Sequence, residues 1–276
     1  MNPLMSKTKL PGRIFQLPSK GLFYSPGTIL DPRVKDGEIQ VKPLSALAEM
    51  KFRSPDLLFN GRALREICEE CIPDILNPEG LLSKDVDALF CFLKISTYGD
   101  MLTAKVSHEC KPLKIHSYNI DLSKIVNDPR NESLKFHDIS YTVVLTNGMK
   151  VNLRPITFKD ALDVTHIRID LERKFSETSN PDSELLEKMI IRDIMSGIDS
   201  VETEPDENGV RVRINDRVMI EEWVRTLQKT FFNEINDQLY KANDWGYKLI
   251  ANISCKECSH EFEYPLEMNP INFFSG

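Results

Sequence analysis

The sequence predicts an α+β protein in which helices alternate with antiparallel β-hairpins. Apolar residues recur at three- and four-residue steps in several stretches, which indicates helices, and short alternating strands flank turn residues in others. No strand–helix–strand unit typical of a parallel sheet is recognisable. With 276 residues, of which 41% are hydrophobic, the chain can bury a substantial core.

Length alone suggests roughly two domains. A metal site that joins two distant segments instead favours one mixed body over residues 44–268. An extended N-terminal arm (1–43) precedes this body, and a C-terminal tail (269–276) follows it. We use "knuckle hairpin" for a strand–turn–strand segment whose turn carries cysteine. Within the body we predict, in order, helices (45–100), a first knuckle hairpin (101–122), a hairpin (139–154), helices (157–243) and a second knuckle hairpin (246–266).

The two ends carry more apolar residues than simple linkers do. The first 43 residues are rich in proline and glycine, which do not sustain a helix. We predict an extended arm lying on another surface, either the protein's own body or a partner; an irregular wrap on the same chain is the alternative. Its apolar residues are Ile14, Phe15, Leu17, Leu22, Phe23 and Tyr24. Phe273 and Phe274 predict a C-terminal tail that binds neighbouring proteins, with a frayed terminus as the alternative.

Local patterns place the individual elements. Ser83 and Asp216 are expected to cap helices, because their side-chain oxygens can accept a free backbone N–H. Asn147-Gly148 predicts a hairpin with a type I′ turn, and Asn208-Gly209 marks a second, more exposed hairpin over 201–214. The predicted helices cover about 45–52, 56–76, 84–97, 157–174, 182–197 and 217–243, with Pro73 kinking or ending the second of them.

The two knuckle hairpins resemble each other and suggest a metal site. The turn of the first reads His108-Glu109-Cys110, and that of the second reads Cys255-Lys256-Glu257-Cys258. A short turn points two ligands to one side, and two such turns complete a tetrahedral zinc site. We therefore predict a closed structural zinc site held by His108, Cys110, Cys255 and Cys258, which joins hairpins that are far apart in the sequence.

Alternatives to this ligand set remain open. His116 or His260 could replace His108. Alternatively, the two hairpins could pack together with free thiols, or they could be a former metal site that has lost its metal. A set built on Cys68 and Cys71 is rejected, because both lie in an apolar helical stripe where free cysteine behaves as a small hydrophobe. Cys91 lies opposite most of the apolar face of its helix and has no assigned role.

Composition excludes several classes of function. The chain has 35 basic and 42 acidic residues, and a net charge of −7 argues against a general nucleic-acid binder. No apolar run reaches the roughly 20 residues of a membrane span, and the first residues lack a secretory signal. We expect a soluble protein in a reducing compartment, where cysteines are thiols or metal ligands. Without a phosphate-binding glycine loop or a nucleophile motif, and with scattered histidines such as His166, we expect no enzyme.

Several segments resemble one known family. Residues Leu17-Pro18-Ser19-Lys20-Gly21-Leu22-Phe23-Tyr24 are similar to the start of baseplate hub and hub-assembly proteins of contractile-tailed, T-even-like bacteriophages. The helix end Leu93-Lys94-Ile95-Ser96-Thr97-Tyr98-Gly99, both cysteine turns and the ending Asn269-Pro270-Ile271-Asn272-Phe273-Phe274 share this likeness, in the same order along nearly the whole chain. His108-Glu109-Cys110 departs from the family, which often has Cys-x-x-Cys at this turn.

The resemblance implies a non-enzymatic structural or assembly subunit of the baseplate hub. Such a protein would be made in the host cytoplasm, and its partners would be tail proteins near the central spike and the tape-measure protein. Its arm, tail and body would make these contacts. The resemblance leaves open whether it stays in the virion or acts transiently. The alternative is a cytosolic zinc-ribbon module that binds nucleic acid or protein.

Overall fold

The computed structural model describes residues 11–52, 61–107, 115–128, 140–178 and 182–266. In this part of the chain the helices are α1 (Ala46–Phe52), α2 (Arg62–Cys71), α3 (Ser83–Tyr98), α4 (Leu122–Val126), α5 (Phe158–Thr178), α6 (Ser183–Gly197), α7 (Arg217–Arg225) and α8 (Lys229–Asn243). The strands are β1 (Arg13–Gln16), β2 (Glu38–Val41), β3 (Met101–Ser107), β4 (Ile115–Asp121), β5 (Thr142–Val144), β6 (Lys150–Leu153), β7 (Ile198–Glu202), β8 (Arg213–Ile214), β9 (Ile250–Ser254) and β10 (Glu261–Pro265).

The described strands pair only antiparallel, which confirms the predicted α+β class. They form the pairs β1–β2, β3–β4 and β9–β10 and a four-stranded sheet in the order β5-β6-β7-β8. The chain groups into two compact units, one from residues 1–134 with 246–276 and one from 135–245. Whether residues 44–268 act as one body stays a prediction.

The core of the first unit is built around α2 and α3. The apolar stripe of α2 is buried as predicted, and Cys68 and Cys71 are 0% and 1% exposed. Helix α3 is enclosed along most of its length, so Cys91 is also fully buried, although the sequence places it off the apolar face. Burial raises the pKa of the Cys71 thiol to about 11 and that of Cys91 to about 12.

Residues 11–43 are folded into the first unit, so the structure does not support an extended arm there. Strand β1 pairs with β2 from Arg13–Val41 to Gln16–Glu38. Ile39 and Val41 of β2 are buried, because alternate residues of a strand point to the same face, and Leu17, which follows β1, is buried as well. The Phe15 ring stacks on Phe92 of α3 at 4.5 Å between centroids. The irregular wrap on the same chain is therefore the correct alternative for this segment.

A buried carboxylate, Asp85, holds this wrap against α3. Ser19 donates its backbone N–H to Asp85 Oδ1 (3.0 Å) and its hydroxyl to Oδ2 (2.5 Å). Tyr24 donates its phenol to the same Oδ2 (2.6 Å) and accepts the Leu82 N–H (2.8 Å). Burial raises the pKa of Asp85 to about 6, although these hydrogen bonds act in the opposite direction.

The predicted cap of α3 is wrong by one residue. Leu82, in extended conformation, occupies the N-cap position, and Ser83 is the first helical residue. The leucine side chain has no acceptor, so no side-chain cap forms at this end, and the Leu82 N–H donates to the Tyr24 hydroxyl outside the helix. Helix α2 ends at Cys71, because Pro73 disfavours a helical conformation in the residue before it.

The core of the second unit lies between its sheet and α6, α7 and α8. Its buried residues are Leu145, Val151, Leu153, Ile191, Ile194, Met195, Ile198, Val201, Ile220, Val224, Ile235, Leu239 and Ala242. Helix α6 ends at Gly197, as the sequence predicts, and packing also requires glycine there. A Cβ atom on Gly197 would lie 2.1 Å from Leu239 Cδ2 of α8.

Two local predictions in this unit are corrected. The Asn147-Gly148 turn is not type I′, because only Gly148 has a positive φ (87°) and its N–H donates to the Leu145 carbonyl (2.8 Å). This is a type I turn followed by a left-handed glycine. The single helix expected over 217–243 is two helices, with residues 226–228 between them.

The break follows from local hydrogen bonding. The N–H and the hydroxyl of Thr226 both donate to the Trp223 carbonyl (3.0 and 2.8 Å), which tightens and ends α7. At the start of α7, Asp216 accepts hydrogen bonds from the N–H groups of Val218 and Met219 (2.8 and 3.1 Å), which confirms the predicted cap.

Over the described residues, no helix combines the length and apolar character needed to cross a bilayer.

Replacing Asp85 with Asn tests the buried carboxyl. The folded pKa is raised to about 6, so this carboxyl contributes stability below about pH 4 that is lost as pH rises through 6. The unfolding free energy of wild type minus that of Asp85→Asn should therefore fall by about 2 kcal/mol between pH 4 and pH 7. Urea titrations followed by NMR signals of α3 amides measure this. Asp100→Asn, which removes a half-exposed carboxyl of the same unit, controls for a general charge effect. A difference in unfolding free energy between wild type and Asp85→Asn that does not change with pH would contradict the buried carboxyl.

Candidate metal centre

Both knuckle hairpins form as predicted, and both belong to the first unit. Strands β3 and β4 pair from Met101–Asp121 to Ser107–Ile115. Strands β9 and β10 pair from Ile250–Pro265 to Ser254–Glu261. Each hairpin exposes one face and buries residues of the other, such as Val106 and Ile253.

The turn of the second hairpin is a closed loop over residues 255–260. The Cys255 N–H donates to the His260 carbonyl and the Ser259 N–H donates to the Cys255 carbonyl, both at 2.8 Å. Ser259 has a φ of 60°, which reverses the chain. Cys255 is 3% exposed and Cys258 is exposed, so the two thiols of Cys-x-x-Cys lie at the inner and outer ends of one turn.

This turn lies against strand β4 of the first hairpin. The Lys256 N–H donates to the Tyr118 hydroxyl (3.2 Å), and its ammonium donates to the Ser117 carbonyl (2.7 Å). The same ammonium lies 5.1 Å from the centroid of the Tyr118 ring, within the range of a cation–π interaction. The two hairpins, about 140 residues apart in sequence, are therefore joined by side-chain contacts of the Cys-x-x-Cys turn.

A second contact involves the histidine that the sequence offered as an alternative ligand. His116 Nε2 lies 3.0 Å from Glu257 Oε1, and the imidazole is 23% exposed. Its ring meets that of Tyr118 edge to face at 6.4 Å. Because this nitrogen faces a carboxylate, His116 would have to leave Glu257 before it could bind a metal.

The structure tests the predicted ligands only in part. Cys255 and Cys258 are placed on one turn, whereas His108 and Cys110 lie outside the described residues. Within the described ranges, no three His, Cys, Asp or Glu side chains are grouped so that they could hold a metal ion. The pairing of the hairpins is observed, and the four-ligand site stays a prediction.

The contacts that join the hairpins were not predicted from the sequence. Lys256 occupies a variable position of Cys-x-x-Cys, and Tyr118 belongs to an alternating apolar strand, so neither shows its partner. Asp85 was also missed. The sequence signal that could have indicated it is an acidic residue in a helix whose other residues are mostly apolar.

These observations define the class of the molecule as an α+β protein whose first unit contains two packed knuckle hairpins. The model of the T4 bacteriophage base plate protein family matches residues 39–275, which include both hairpins and all of the second unit. The chain belongs to this family. No curated protein and no solved structure matches it.

Family membership confirms the T-even-like baseplate resemblance. It supports a structural protein of the phage tail baseplate, located in the tail, with other phage tail proteins as partners. A structural baseplate family also suggests a role without catalysis.

The contact between Lys256 and Tyr118 should be measurable as a coupling energy. In a double-mutant cycle with Lys256→Ala and Tyr118→Ala, we expect about 0.5–1 kcal/mol, because the contact is exposed to solvent. Urea unfolding of the four proteins gives this value. Lys124→Ala is the matched control, since Lys124 faces Asp121 instead, and its coupling to Tyr118 should be close to zero. Equal coupling for both lysines would show that the contact does not form.

Proposed function

We propose that the protein is a structural or assembly subunit of the baseplate hub. The observation that carries this proposal is the family match over residues 39–275. The hub is supported by the Leu17–Tyr24 motif, whose likeness is to hub and hub-assembly proteins. Ser19 and Tyr24 of this motif bind the buried Asp85 and shape the surface of the first unit, which is a structural role.

Protein contacts rather than a small-molecule site fit the described surface. Residues 11–43 wrap their own unit, yet they leave Ile14 71% exposed, and Leu22 and Phe23 are also exposed. Exposed apolar side chains of this kind are suited to a protein interface. The acidic chain suits partners with basic patches, because complementary charge steers association. We propose neighbouring hub proteins and the tape-measure protein as partners, bound in the host cytoplasm during assembly.

Co-expression with hub and tape-measure proteins tests this function. We expect the chain to co-purify with at least one of them and to sediment with assembled baseplates. Ile14→Asp should weaken that association because it places a charge on an exposed apolar face, whereas Ile14→Val, which keeps the face apolar, should not. A chain that stays monomeric and binds none of these proteins would overturn the proposal. Its presence in or absence from purified virions then separates a permanent subunit from a transient factor.

We also propose that a structural zinc ion joins the two knuckle hairpins through His108, Cys110, Cys255 and Cys258. Support comes from the contact between the Cys-x-x-Cys turn and β4, the strand that follows the first turn in the sequence. The competing pair Cys68 and Cys71 is buried in α2. Burial raises both thiol pKa values, which disfavours the thiolate that a metal needs.

Metal analysis of the purified chain should find about one zinc per molecule. Cys258→Ser should lose the metal, because it removes a ligand from the exposed end of the turn. Cys91→Ala is the matched control, since that thiol is buried in α3, and it should keep the metal. Zinc retained in both Cys255→Ser and Cys258→Ser, or lost in Cys68→Ala, would refute this ligand set.

A further inference from the structure

The second unit contains a polar cavity of about 440 Å³ that none of the preceding functions uses. It lies where β6, β7, β8 and the start of α7 meet. Its lining residues are Arg154, Ile198, Asp199, Arg213, Asn215 and Arg217. Three guanidinium groups surround this cavity, although the acidic residues of the chain outnumber the basic ones by 42 to 35.

Two of these guanidinium groups are neutralised by neighbouring carboxylates. Arg154 binds Asp160 in bidentate geometry, with Nη1–Oδ2 at 2.8 Å and Nη2–Oδ1 at 2.9 Å. Burial of Asp160 opposes ionisation, but hydrogen bonds from Arg154 and Thr157 outweigh it and hold its pKa below the usual value. Arg213 binds Asp199 at 3.0 Å.

Arg217 is not neutralised in this way. Its guanidinium donates to the carbonyls of Ile198 (2.6 Å) and Met195, and it makes no ion pair with any carboxylate of the described chain. Partial burial lowers its pKa, the nearby charges of Arg154 and Arg192 add to this effect, and the more weakly felt carboxylates of Asp160 and Asp199 oppose it. A guanidinium has five N–H donors, so three remain beyond these two bonds.

The two carbonyl contacts show that Arg217 also supports the end of α6, where partial negative charge favours a cation. That role explains the position of the side chain. It does not supply a counter-ion, and it does not explain two further arginines on the same cavity. Asp160, behind Arg154, and Asp199 offset two of the three guanidinium charges, so one positive charge stays in excess at the cavity.

We propose that this cavity binds a side-chain carboxylate of an acidic protein segment, with Arg217 as the anchor. One uncompensated charge matches a monoanion, and the planar guanidinium matches the two oxygens of a carboxylate. Asp199 in the wall repels the second charge of a phosphate dianion, and the Asn215 amide offers a further donor. That the acidic segment belongs to another tail protein rests on the proposed function; the binding of a carboxylate to this cavity does not.

Binding is tested on the full chain with a capped triglutamate peptide, and capped triglutamine and inorganic phosphate serve as comparisons. We expect triglutamate to shift the NMR signal of the Arg217 Nε–H and to bind more tightly than either comparison. Arg217→Gln should weaken binding by about tenfold or more. Arg225→Gln is the matched control, because Arg225 lies at the other end of α7 and pairs with Glu187 and Glu221; it should bind as wild type does.

Arg217→Gln also removes two hydrogen bonds to the end of α6 and could weaken binding by destabilising the fold. A second variant separates these two effects. Arg213→Gln removes an exposed guanidinium and releases Asp199 into the cavity, and it should weaken triglutamate binding as well. Unchanged affinity in Arg213→Gln and in folded Arg217→Gln overturns the proposal, as does the same loss in Arg225→Gln. Tighter binding of phosphate, or no binding of triglutamate, also overturns it. Co-purification of the wild-type chain with hub proteins is measured separately and does not require triglutamate binding, so failure here is distinct from failure of the proposed function.

Discussion

The buried Asp85 carboxylate is the constraint on which the first unit depends. An ionisable group without solvent contact is tolerated only when its oxygens are satisfied by hydrogen bonds. Ser19 and Tyr24 supply these donors from a segment more than 60 residues earlier. The requirement therefore ties a proline- and glycine-rich segment to α3 and brings β1 and Phe15 onto the core.

The packing of the two knuckle hairpins is a second long-range constraint. Lys256 makes a hydrogen bond through its backbone and another through its ammonium, and both reach β4. The Cys-x-x-Cys turn thus has a structural role in the described contacts already. These contacts join segments that are far apart in the sequence, which is consistent with a structural protein of the baseplate.

Much of the fold follows from local sequence. Helical spacing predicted α2, α3 and α6, and the Asp216 cap and both knuckle hairpins were also predicted correctly, because capping and strand alternation depend on neighbouring residues. Local errors arose where two signals competed. The apolar face continues through 226–228, but the Thr226 bonds end α7 there. Asn147-Gly148 indicated the hairpin, while the five-residue connection set a different turn.

By itself, the sequence determined the α+β class, the buried state of Cys68 and Cys71 and the family to which the chain belongs. Only the tertiary structure decided that residues 11–43 wrap their own unit, that Cys91 is enclosed, and that Lys256 meets Tyr118. It also showed that Arg217, beside two paired arginines, forms no ion pair with a carboxylate of the described residues. The physical reason is range: periodicity and capping act within a few residues, whereas burial and charge pairing depend on segments that meet only after folding.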